Sequence, residues 1–435
     1  MKAFAKAPIF EAVRGVERAH VSGEEIADSL RFYTANLAWL VCGITIFGLI
    51  MGYSASSTKL ISEGLSPLGD IMPQFVTTAI GFAALFLISM MRFAPNARDL
   101  KMRLIVKFSY WLSIAALVFV YIQGDIVNGS RRALTIFGVQ FQPTELAKFA
   151  LVAYILYFLI VDARSMSTVK EATASRFDAL AAGIPIRISK TGFAMIAAAA
   201  LIALVLFQPN LGGAIYLFVL ALVTFALCGA KKRWLALAAA VVAVPALLLL
   251  FLPNDYFSHA RVRLAAWQNP FGEATASGRS VNADADKESY QIIQSLGAVA
   301  NGGLFGRGLF QGIQKINRLP ESKNDFIFAV ICEELGLLGA LLVIGGYLAL
   351  LYFSAGIALC IRNPFYSGLV FLIGFGIVLQ AGINMAAAVN LVPTTGINLP
   401  LISFGGSSKI VTLAELGLVL AVANSFLKFE SPKVR

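Results

Sequence analysis

Apolar residues occur in ten long runs along the chain, and polar or charged residues separate these runs. The runs lie near residues 36–53, 74–91, 104–121, 143–161, 191–207, 211–229, 234–252, 326–353, 365–389 and 401–427. Each approaches or exceeds the roughly 20 residues that an α-helix needs to cross a bilayer. The pattern therefore predicts an all-α polytopic membrane protein with about ten transmembrane helices.

Basic residues are concentrated at one end of these predicted helices. They occur in the N-terminal tail and in the second, fourth and sixth connections, whereas the first connection carries only Lys59. Loops rich in Lys and Arg stay in the cytoplasm, so both termini are expected there, and the polar first 35 residues argue against a cleaved signal peptide. The predicted units are a cytoplasmic tail (1–35), a membrane domain (36–428) and a second cytoplasmic tail (429–435).

One connection, residues 253–325, is far longer than the others and follows the seventh predicted helix. Connections longer than about 15 residues are usually functional or disordered. This one mixes aromatic residues, glycines and charges, which favours a folded segment. By parity it lies outside the cytoplasm, between helices seven and eight, and we expect it to form short helices on the outer, periplasmic surface of the membrane.

Composition supports the membrane assignment. Hydrophobic residues make up 58% of the chain and charged residues 14%, against about 45–50% and 25% in soluble domains. The net charge of +11 is better explained by loops beside anionic lipid headgroups than by nucleic acid, so no nucleic-acid partner is expected. The cysteines fall in or near apolar runs, which argues against a disulfide framework, and the histidines lack metal-ligand spacing; these residues are Cys42, Cys228, Cys332, Cys360, His20 and His259.

Two polar stretches flank the start of the fourth predicted helix. Glu145 and Lys148 are three residues apart on one helix face just inside the membrane. They form either an ion pair that orders the helix or a functional intramembrane site. Arg131 and Arg132 precede them and are candidates for phosphate binding, with ordinary headgroup contact as the alternative.

The long loop and the last connection carry the other candidate residues. Arg261 and Arg263 follow the seventh predicted helix, where they could bind a phosphate group, and Asp325 is the last polar residue before a long apolar run. Asp325 could be a helix N-cap or a general base, since partial loss of solvent strengthens a carboxylate as a base. The stretch 392–408, rich in proline and glycine, should line a polar cavity, because irregular backbone at membrane depth needs such a setting.

Together, these stretches resemble the shape, elongation, division and sporulation (SEDS) family of cell-wall glycosyltransferases. The matching motifs are N-G-x-R-R (128–132), Q-P-T-E-L-A-K (142–148), Q-P-x-x-G-G (208–213), Y-Q-x-x-x-S (290–295) followed by a glycine-rich segment (302–308), L-P-E-x-x-x-D-F-I-F-A-V-x-x-E-E-L-G-x-x-G (319–339) and P-x-T-G-x-x-L-P-x-I-S-F-G-G-S-S (393–408). The resemblance covers about residues 35–428. It implies an inner-membrane enzyme that polymerises lipid II into glycan strands with a class B penicillin-binding protein and other divisome or elongasome membrane proteins.

The resemblance also implies roles for individual residues. The family's essential aspartate falls on Asp325, which would accept the proton of the attacking sugar 4-hydroxyl in an inverting transfer. Substrate binding is expected from Arg131, Arg132, Arg261, Arg263, Tyr290, Gln291, Glu321 and Ser403. Arginines or a divalent cation, Mg²⁺ or Mn²⁺, would offset charge on the leaving diphosphate, and no organic cofactor is expected.

Three positions depart from the family pattern: Ala133 replaces a usual Trp, Asn210 an Asp and Ser289 a Gly. The N-G-S-R-R stretch and the long N-terminal tail favour the division branch, whereas Thr395 is more typical of the elongation branch. We favour the division type.

Two other functions remain open. A lipid II flippase would use a cavity between helices that contains Glu145, Lys148, Glu333 and Glu334, but transport sites tend to lie near the membrane midplane and Asp325 is placed at the surface. A non-catalytic scaffold for a penicillin-binding protein would need no essential aspartate.

Overall fold

The computed structural model is predominantly helical. It describes residues 23–62, 68–95, 99–127, 130–136, 139–162, 190–208, 210–230, 258–271, 283–316 and 318–430, with isolated positions between 231 and 257. Residues 1–22 and 431–435, most of both predicted tails, lie outside this set.

Eleven helices and three strands occupy the described residues. They are α1 (Gly23–Ser62), α2 (Leu68–Ser89), α3 (Leu100–Gln123), β1 (Asp125–Val127), β2 (Ser130–Ile136), β3 (Val139–Phe141), α4 (Pro143–Leu156, continued by a π-helical turn at Tyr157–Asp162), α5 (Lys190–Leu206), α6 (Leu211–Leu227), α7 (Ser258–Gln268), α8 (Ala283–Gly302), α9 (Ile327–Cys360), α10 (Pro364–Ala388) and α11 (Gly406–Glu430).

Nine of the ten predicted apolar segments lie on these helices. Within the described residues, α1, α2, α3, α4, α9, α10 and α11 are long and apolar enough to cross a membrane, and α5 and α6 are shorter apolar helices. The remaining predicted segment, 234–252, falls almost entirely outside the described residues. The prediction of a polytopic helical membrane protein is confirmed.

The first helix extends beyond its apolar run, because α1 begins at Gly23 rather than near residue 36. Glu24 and Glu25 occupy its first turn, where negative charge is favourable to the helix dipole. Leu30 is fully buried, so the added turns pack against the protein. The residues of this extension are too polar to count as part of an apolar run, so the hydropathy pattern does not show it.

A small antiparallel sheet between α3 and α4 was not predicted. Its strands are in the order β1-β2-β3, and Ile126 pairs with Arg131 while Thr135 pairs with Gln140. Strands of three residues are too short to produce a readable alternation of apolar and polar positions, which explains why the sequence pattern shows only helices. The sheet places Gln140 and Gln142 at the mouth of the helix bundle.

Helix α9 is broken at Gly336, where φ is +65°. The 34 residues of α9 would measure about 51 Å as one straight helix, well beyond the roughly 30 Å of bilayer hydrocarbon. Residues 337–360 alone supply about 36 Å and can span it. The first turns of α9, which follow Asp325, therefore lie at the membrane boundary.

The long connection contains two helices, α7 and α8, as expected. α8 buries a stripe of residues three apart, namely Ser289, Ile292, Ser295 and Ala298. The Ser295 hydroxyl donates to the carbonyl of Ala388 at 2.7 Å. This bond fastens α8 to the end of α10, on the side of the bundle where Asp325 lies.

Candidate active site

A polar cavity of about 230 Å³ opens beside Asp325. Three segments that are distant in sequence meet there: the end of the small sheet, the turn before α9 and the connection between α10 and α11. Its lining residues are Gln140, Gln142, Glu321, Asn324, Asp325, Gly396, Asn398, Phe404, Gly405, Gly406, Ser407 and Ser408. The expectation that stretch 392–408 lines a polar cavity is met.

Asp325 is half-buried in the turn that precedes α9. The N-cap residue of α9 is Phe326, so Asp325 does not occupy the capping position that its sequence context allowed. The turn is closed by the carbonyl of Glu321, which accepts from the amides of Asn324 and Phe326 at 3.0 and 3.2 Å. Glu321 itself has a φ of +53° and is exposed at the cavity.

Asn384, a buried residue of α10, holds the backbone at Asp325. Its Nδ2 donates to the carbonyl of Asp325 and to the carbonyl of Ile397, both at 2.8 Å. One side-chain amide therefore joins the turn before α9 to the connection before α11. The position of the Asp325 backbone depends on this bridge.

Ser403 makes a second bridge between the same two segments. Its hydroxyl accepts from the amide of Leu399 at 2.8 Å and donates to the carbonyl of Asn324 at 2.7 Å. The side chain is buried and is not part of the cavity wall. This geometry assigns Ser403 the role of positioning Asn324, and direct contact with substrate, expected from the resemblance, stays a prediction.

Arg261 and Arg263 lie on α7, and both are half-buried. Arg263 Nε lies 3.1 Å from Glu288 Oε1 on α8, and Thr394 donates to the other oxygen of Glu288 at 3.1 Å. Arg263 is thus tied to the connection that lines the cavity. Tyr290 is exposed and Gln291 half-buried on the same helix, α8.

The remaining predicted phosphate ligands, Arg131 and Arg132, lie on β2, and their side chains are outside the described part of the structure. Gln142, at the end of the sheet, is bound to the α11 side of the cavity, because its amide donates to Ser407 Oγ at 3.1 Å. The sheet and the connection before α11 are therefore joined at the cavity wall.

Glu145 and Lys148 form the predicted internal ion pair, with 2.6 Å between Lys148 Nζ and Glu145 Oε2. Lys148 also donates to Gln380 Oε1 at 2.7 Å, and Gln380 Nε2 donates to the carbonyl of Asn398 at 3.0 Å. The pair thereby supports the cavity wall from inside the membrane. Glu145 and Lys148 line a small internal space of about 20 Å³, and Glu415 is a third ionisable residue in its wall.

Glu333 and Glu334 form a separate group from that ion pair. Both are fully buried. Glu333 accepts from the amides of Ile313 and Gln314 at 3.0–3.2 Å. Glu334 accepts from Ser54 at 2.7 Å and pairs with Lys315 at 2.5 Å. Glu333 and Glu334 are not in the wall of the space beside Glu145 and Lys148, so that space does not unite the four residues as a flippase cavity would.

The cavity suits proton transfer from a polyhydroxylated substrate. It presents one half-buried carboxylate, Asp325, among amide and hydroxyl groups. Among the described residues, no cluster of three His, Cys, Asp or Glu side chains has metal-site geometry. Mg²⁺ is commonly held by one or two carboxylates together with substrate phosphates, and Asp325 and Glu321 are the carboxylates of the cavity wall that could take this part.

Sequence reasoning missed Asn384, Gln380 and Glu415. Gln380 and Asn384 are four residues apart on one face of an otherwise apolar helix, a pattern that marks a buried polar contact in a membrane protein. Asn210, one of the departures from the family pattern, is the N-cap of α6 and accepts from the amide of Gly213 at 3.0 Å. An Asn can cap a helix as well as an Asp, so this substitution retains the turn.

Comparison with known proteins gives a consistent result. A family model described as a cell cycle protein, FtsW/RodA/SpoVE, matches residues 35–427. A probable peptidoglycan glycosyltransferase FtsW from Geobacter metallireducens is 32% identical over 393 residues, covering 90% of this chain and 94% of that protein. The probable FtsW of Enterococcus hirae is 32% identical over 413 residues, covering 91% and 94%.

Solved structures agree with this assignment. One, described as showing the structural coordination of polymerization and crosslinking by a peptidoglycan synthase complex, has a TM-score of 0.61 at 25% identity and covers 89% of this chain and 97% of its own. The Thermus thermophilus rod shape determining protein RodA has a TM-score of 0.57 at 26% identity, covering 89% and 96%. The chain therefore belongs to the FtsW/RodA/SpoVE family of cell cycle proteins, the SEDS family that its motifs indicate, and is of the FtsW type.

Proposed function

We propose that the protein is a peptidoglycan glycosyltransferase that polymerises lipid II during cell division. The observation that carries the proposal is the half-buried carboxylate of Asp325 in a polar cavity at the membrane boundary. The names of the FtsW relatives support the reaction class. A lipid-linked sugar enters such a site from the bilayer with its lipid still embedded.

In the proposed reaction, the 4-hydroxyl oxygen of the acceptor sugar attacks the anomeric carbon of the donor. The new glycosidic bond forms as the bond between the anomeric carbon and the diphosphate oxygen breaks. Asp325 accepts the hydroxyl proton, and the lipid diphosphate leaves with the bonding electrons. Attack from the opposite face converts an α-linked donor into a β-linked product.

Charge on the departing diphosphate must be offset, and the chain offers two means. Arg263 on α7 is linked through Glu288 to Thr394 in the connection that lines the cavity, and Arg261 lies on the same helix. Each charge-assisted contact to phosphate contributes about 1.5–3 kcal/mol. Arg263 would exchange Glu288 for the diphosphate. A divalent cation held by Asp325, Glu321 and the diphosphate would supply Lewis-acid charge neutralisation.

We further propose a class B penicillin-binding protein as partner, because glycan strands need crosslinking by a second active site. The similarity to a solved peptidoglycan synthase complex supports this. A flippase that used Glu145, Lys148, Glu333 and Glu334 is disfavoured, because these residues already have protein partners: Lys148 pairs with Glu145, Lys315 with Glu334, and Glu333 accepts from the amides of Ile313 and Gln314.

Asp325→Asn tests the proposed base directly. The purified protein is reconstituted with lipid II and a cognate transpeptidase, and glycan strands are measured by gel electrophoresis. Asp325→Asn keeps the side-chain volume and should abolish polymerisation while the thermal unfolding temperature stays unchanged. The control is Asp28→Asn, which neutralises a carboxylate exposed on α1 and should retain full activity. Polymerisation by Asp325→Asn at the wild-type rate would refute the mechanism.

The mechanism also requires Asp325 to face the periplasm. A single cysteine replacing exposed Lys287 on α8, in a variant free of other cysteines, should react with an impermeant maleimide in intact spheroplasts. One replacing exposed Lys101, at the start of α3, should react only after permeabilisation. The reverse pattern would place the cavity in the cytoplasm, where lipid II does not present its sugars for polymerisation.

A further inference from the structure

The glycine-rich loop, residues 302–316 between α8 and the turn before α9, exposes large apolar side chains. Leu304 is 63% exposed, Phe305 79% and Phe310 43%. Leu309, Ile313 and Ile316 are exposed as well. Contiguous exposed apolar groups of this kind mark an interaction surface. None of the polymerase chemistry at Asp325 requires them.

The loop is bonded to the part of α9 that begins to span the membrane. The amide of Leu337 donates to the carbonyl of Gly303 at 2.9 Å, and that of Leu338 donates to the carbonyl of Leu304 at 3.3 Å. Leu337 and Leu338 are themselves 49% and 56% exposed, at the start of the outward face that α9 presents to lipid. Leu304 and Phe305 therefore continue the lipid-facing surface of α9.

The break at Gly336 makes this docking possible. Gly336 has a φ of +65°, and a Cβ there would collide with the amide nitrogen of Gly306. A Cβ on Gly302 or Gly306 would collide with the backbone of α9 at Cys332 or Glu334. Backbone thus packs directly on backbone, and glycine at these positions permits the contact.

Eight backbone amides of the loop donate to acceptors within the protein. Glu333 and Glu334 of α9 accept from it through their carboxylates and also through their main-chain carbonyls, at 3.0–3.2 Å. The loop amides with a protein acceptor are those of Gly306, Arg307, Gly308, Phe310, Gln311, Ile313, Gln314 and Ile316. A loop in water can leave its backbone amides to bond with solvent, whereas irregular backbone at membrane depth must make these hydrogen bonds within the protein.

The two basic residues of the loop, Arg307 and Lys315, have different surroundings. Lys315 is buried and paired with Glu334, so it brings no unpaired charge to the surface. Arg307, two residues beyond Phe305, is exposed. A basic side chain beside an exposed aromatic one is the arrangement that anchors proteins at the lipid headgroups.

We propose that the glycine-rich loop is a membrane-inserted wedge. Leu304 and Phe305 enter the acyl-chain region of the leaflet on the Asp325 side, and Arg307 contacts headgroup phosphates there. Because Glu333 and Glu334 tie the wedge to the first turns of α9, it sets the depth of Asp325 relative to the headgroups. The inference does not depend on the polymerase activity of the site.

Site-directed spin labelling tests the wedge. The four native cysteines are replaced by alanine, and Phe305→Cys is labelled with a nitroxide and reconstituted into vesicles of phosphatidylethanolamine and phosphatidylglycerol. Power saturation compares collisions with oxygen, which concentrates in lipid, and with a water-soluble nickel chelate. Leu348→Cys, on the outward face of α9, is the lipid reference, and Arg318→Cys, exposed after the loop, is the water reference.

The label at residue 305 should behave like the one at residue 348, with strong oxygen and weak nickel collisions. A label that behaves like the one at residue 318 would overturn the proposal, because the loop would then lie in water. Protection from both probes would also overturn it, since the loop would then be covered by protein. Each result is independent of lipid II turnover.

Discussion

Replacing Asn384 by leucine should slow polymerisation without preventing folding. Leucine has the same number of side-chain heavy atoms as asparagine, branched at the same carbon, but donates no hydrogen bonds. The Oδ1 atom of Asn384 has no protein partner in the described structure, so the substitution removes only the two bonds at 2.8 Å to the carbonyls of Asp325 and Ile397. The change therefore isolates the bridge that positions the turn carrying Asp325, the proposed base.

The expected loss of activity can be estimated from the two carbonyls that lose their donor. Leaving a buried acceptor unsatisfied costs about 1–3 kcal/mol, so roughly 2–6 kcal/mol favours a shift of the turn toward other donors. A displacement of about 1 Å at a catalytic group lowers the rate on the order of 10²-fold. We expect kcat to fall by this order while KM for lipid II changes little, because the diphosphate contacts lie elsewhere.

The assay is steady-state polymerisation of lipid II by the reconstituted protein with its transpeptidase, alongside thermal unfolding. Ser295→Ala is the matched control: it removes a 2.7 Å bond to the carbonyl of Ala388 at the end of the same helix, α10, and leaves the Asn384 bridge in place. Because Ser295 makes no bond to Asp325 or Ile397 in the described structure, this change should lower the unfolding temperature with little loss of kcat. If Asn384→Leu retains wild-type kcat, or if both variants lose activity only in proportion to stability, the bridge does not position Asp325.

Two further predictions concern the docking of the glycine-rich loop on α9. Gly336→Ala should destabilise the protein by about 1–3 kcal/mol, because it forces a side chain into the positive-φ region against Gly306; Gly345→Ala, in a helical site with open space around it, should be neutral or stabilising in the same thermal unfolding assay. Glu334→Gln should cost about 3–5 kcal/mol by leaving the charge of Lys315 buried and unpaired. Adding Lys315→Met to Glu334→Gln should recover much of that loss, and additive losses would contradict the pairing.

The sequence predicted the membrane helices well because each carries its own signal. A run of apolar residues long enough to cross a bilayer is stable there whatever it packs against. The same reasoning explains why the sequence pattern did not predict two features, the N-terminal extension of α1 and the small sheet. The first turns of α1 are too polar to extend an apolar run, and the strands of the small sheet are too short to show a period.

The motifs located the site but could not arrange it. Asp325 and the stretch 392–408 were predicted separately, as a candidate base and as the wall of a polar cavity, and the bonds of Asn384 to Asp325 and Ile397 show that the two adjoin. Glu333 and Glu334 show the same limit. As residues in an apolar run they suggested a transport cavity, whereas in the structure they bind the glycine-rich loop.

Helix position and family were thus determined by the sequence alone, because they depend on local composition and on contiguous motifs; the same motifs predicted Asp325 as the central carboxylate. The bridges through Asn384 and Ser403, the break at Gly336 and the docking of the glycine-rich loop were decided only by the tertiary structure. Each depends on a hydrogen bond or a close backbone contact between distant segments. A buried polar group is satisfied only by the partner that folding brings to it, and that partner cannot be read from neighbouring residues.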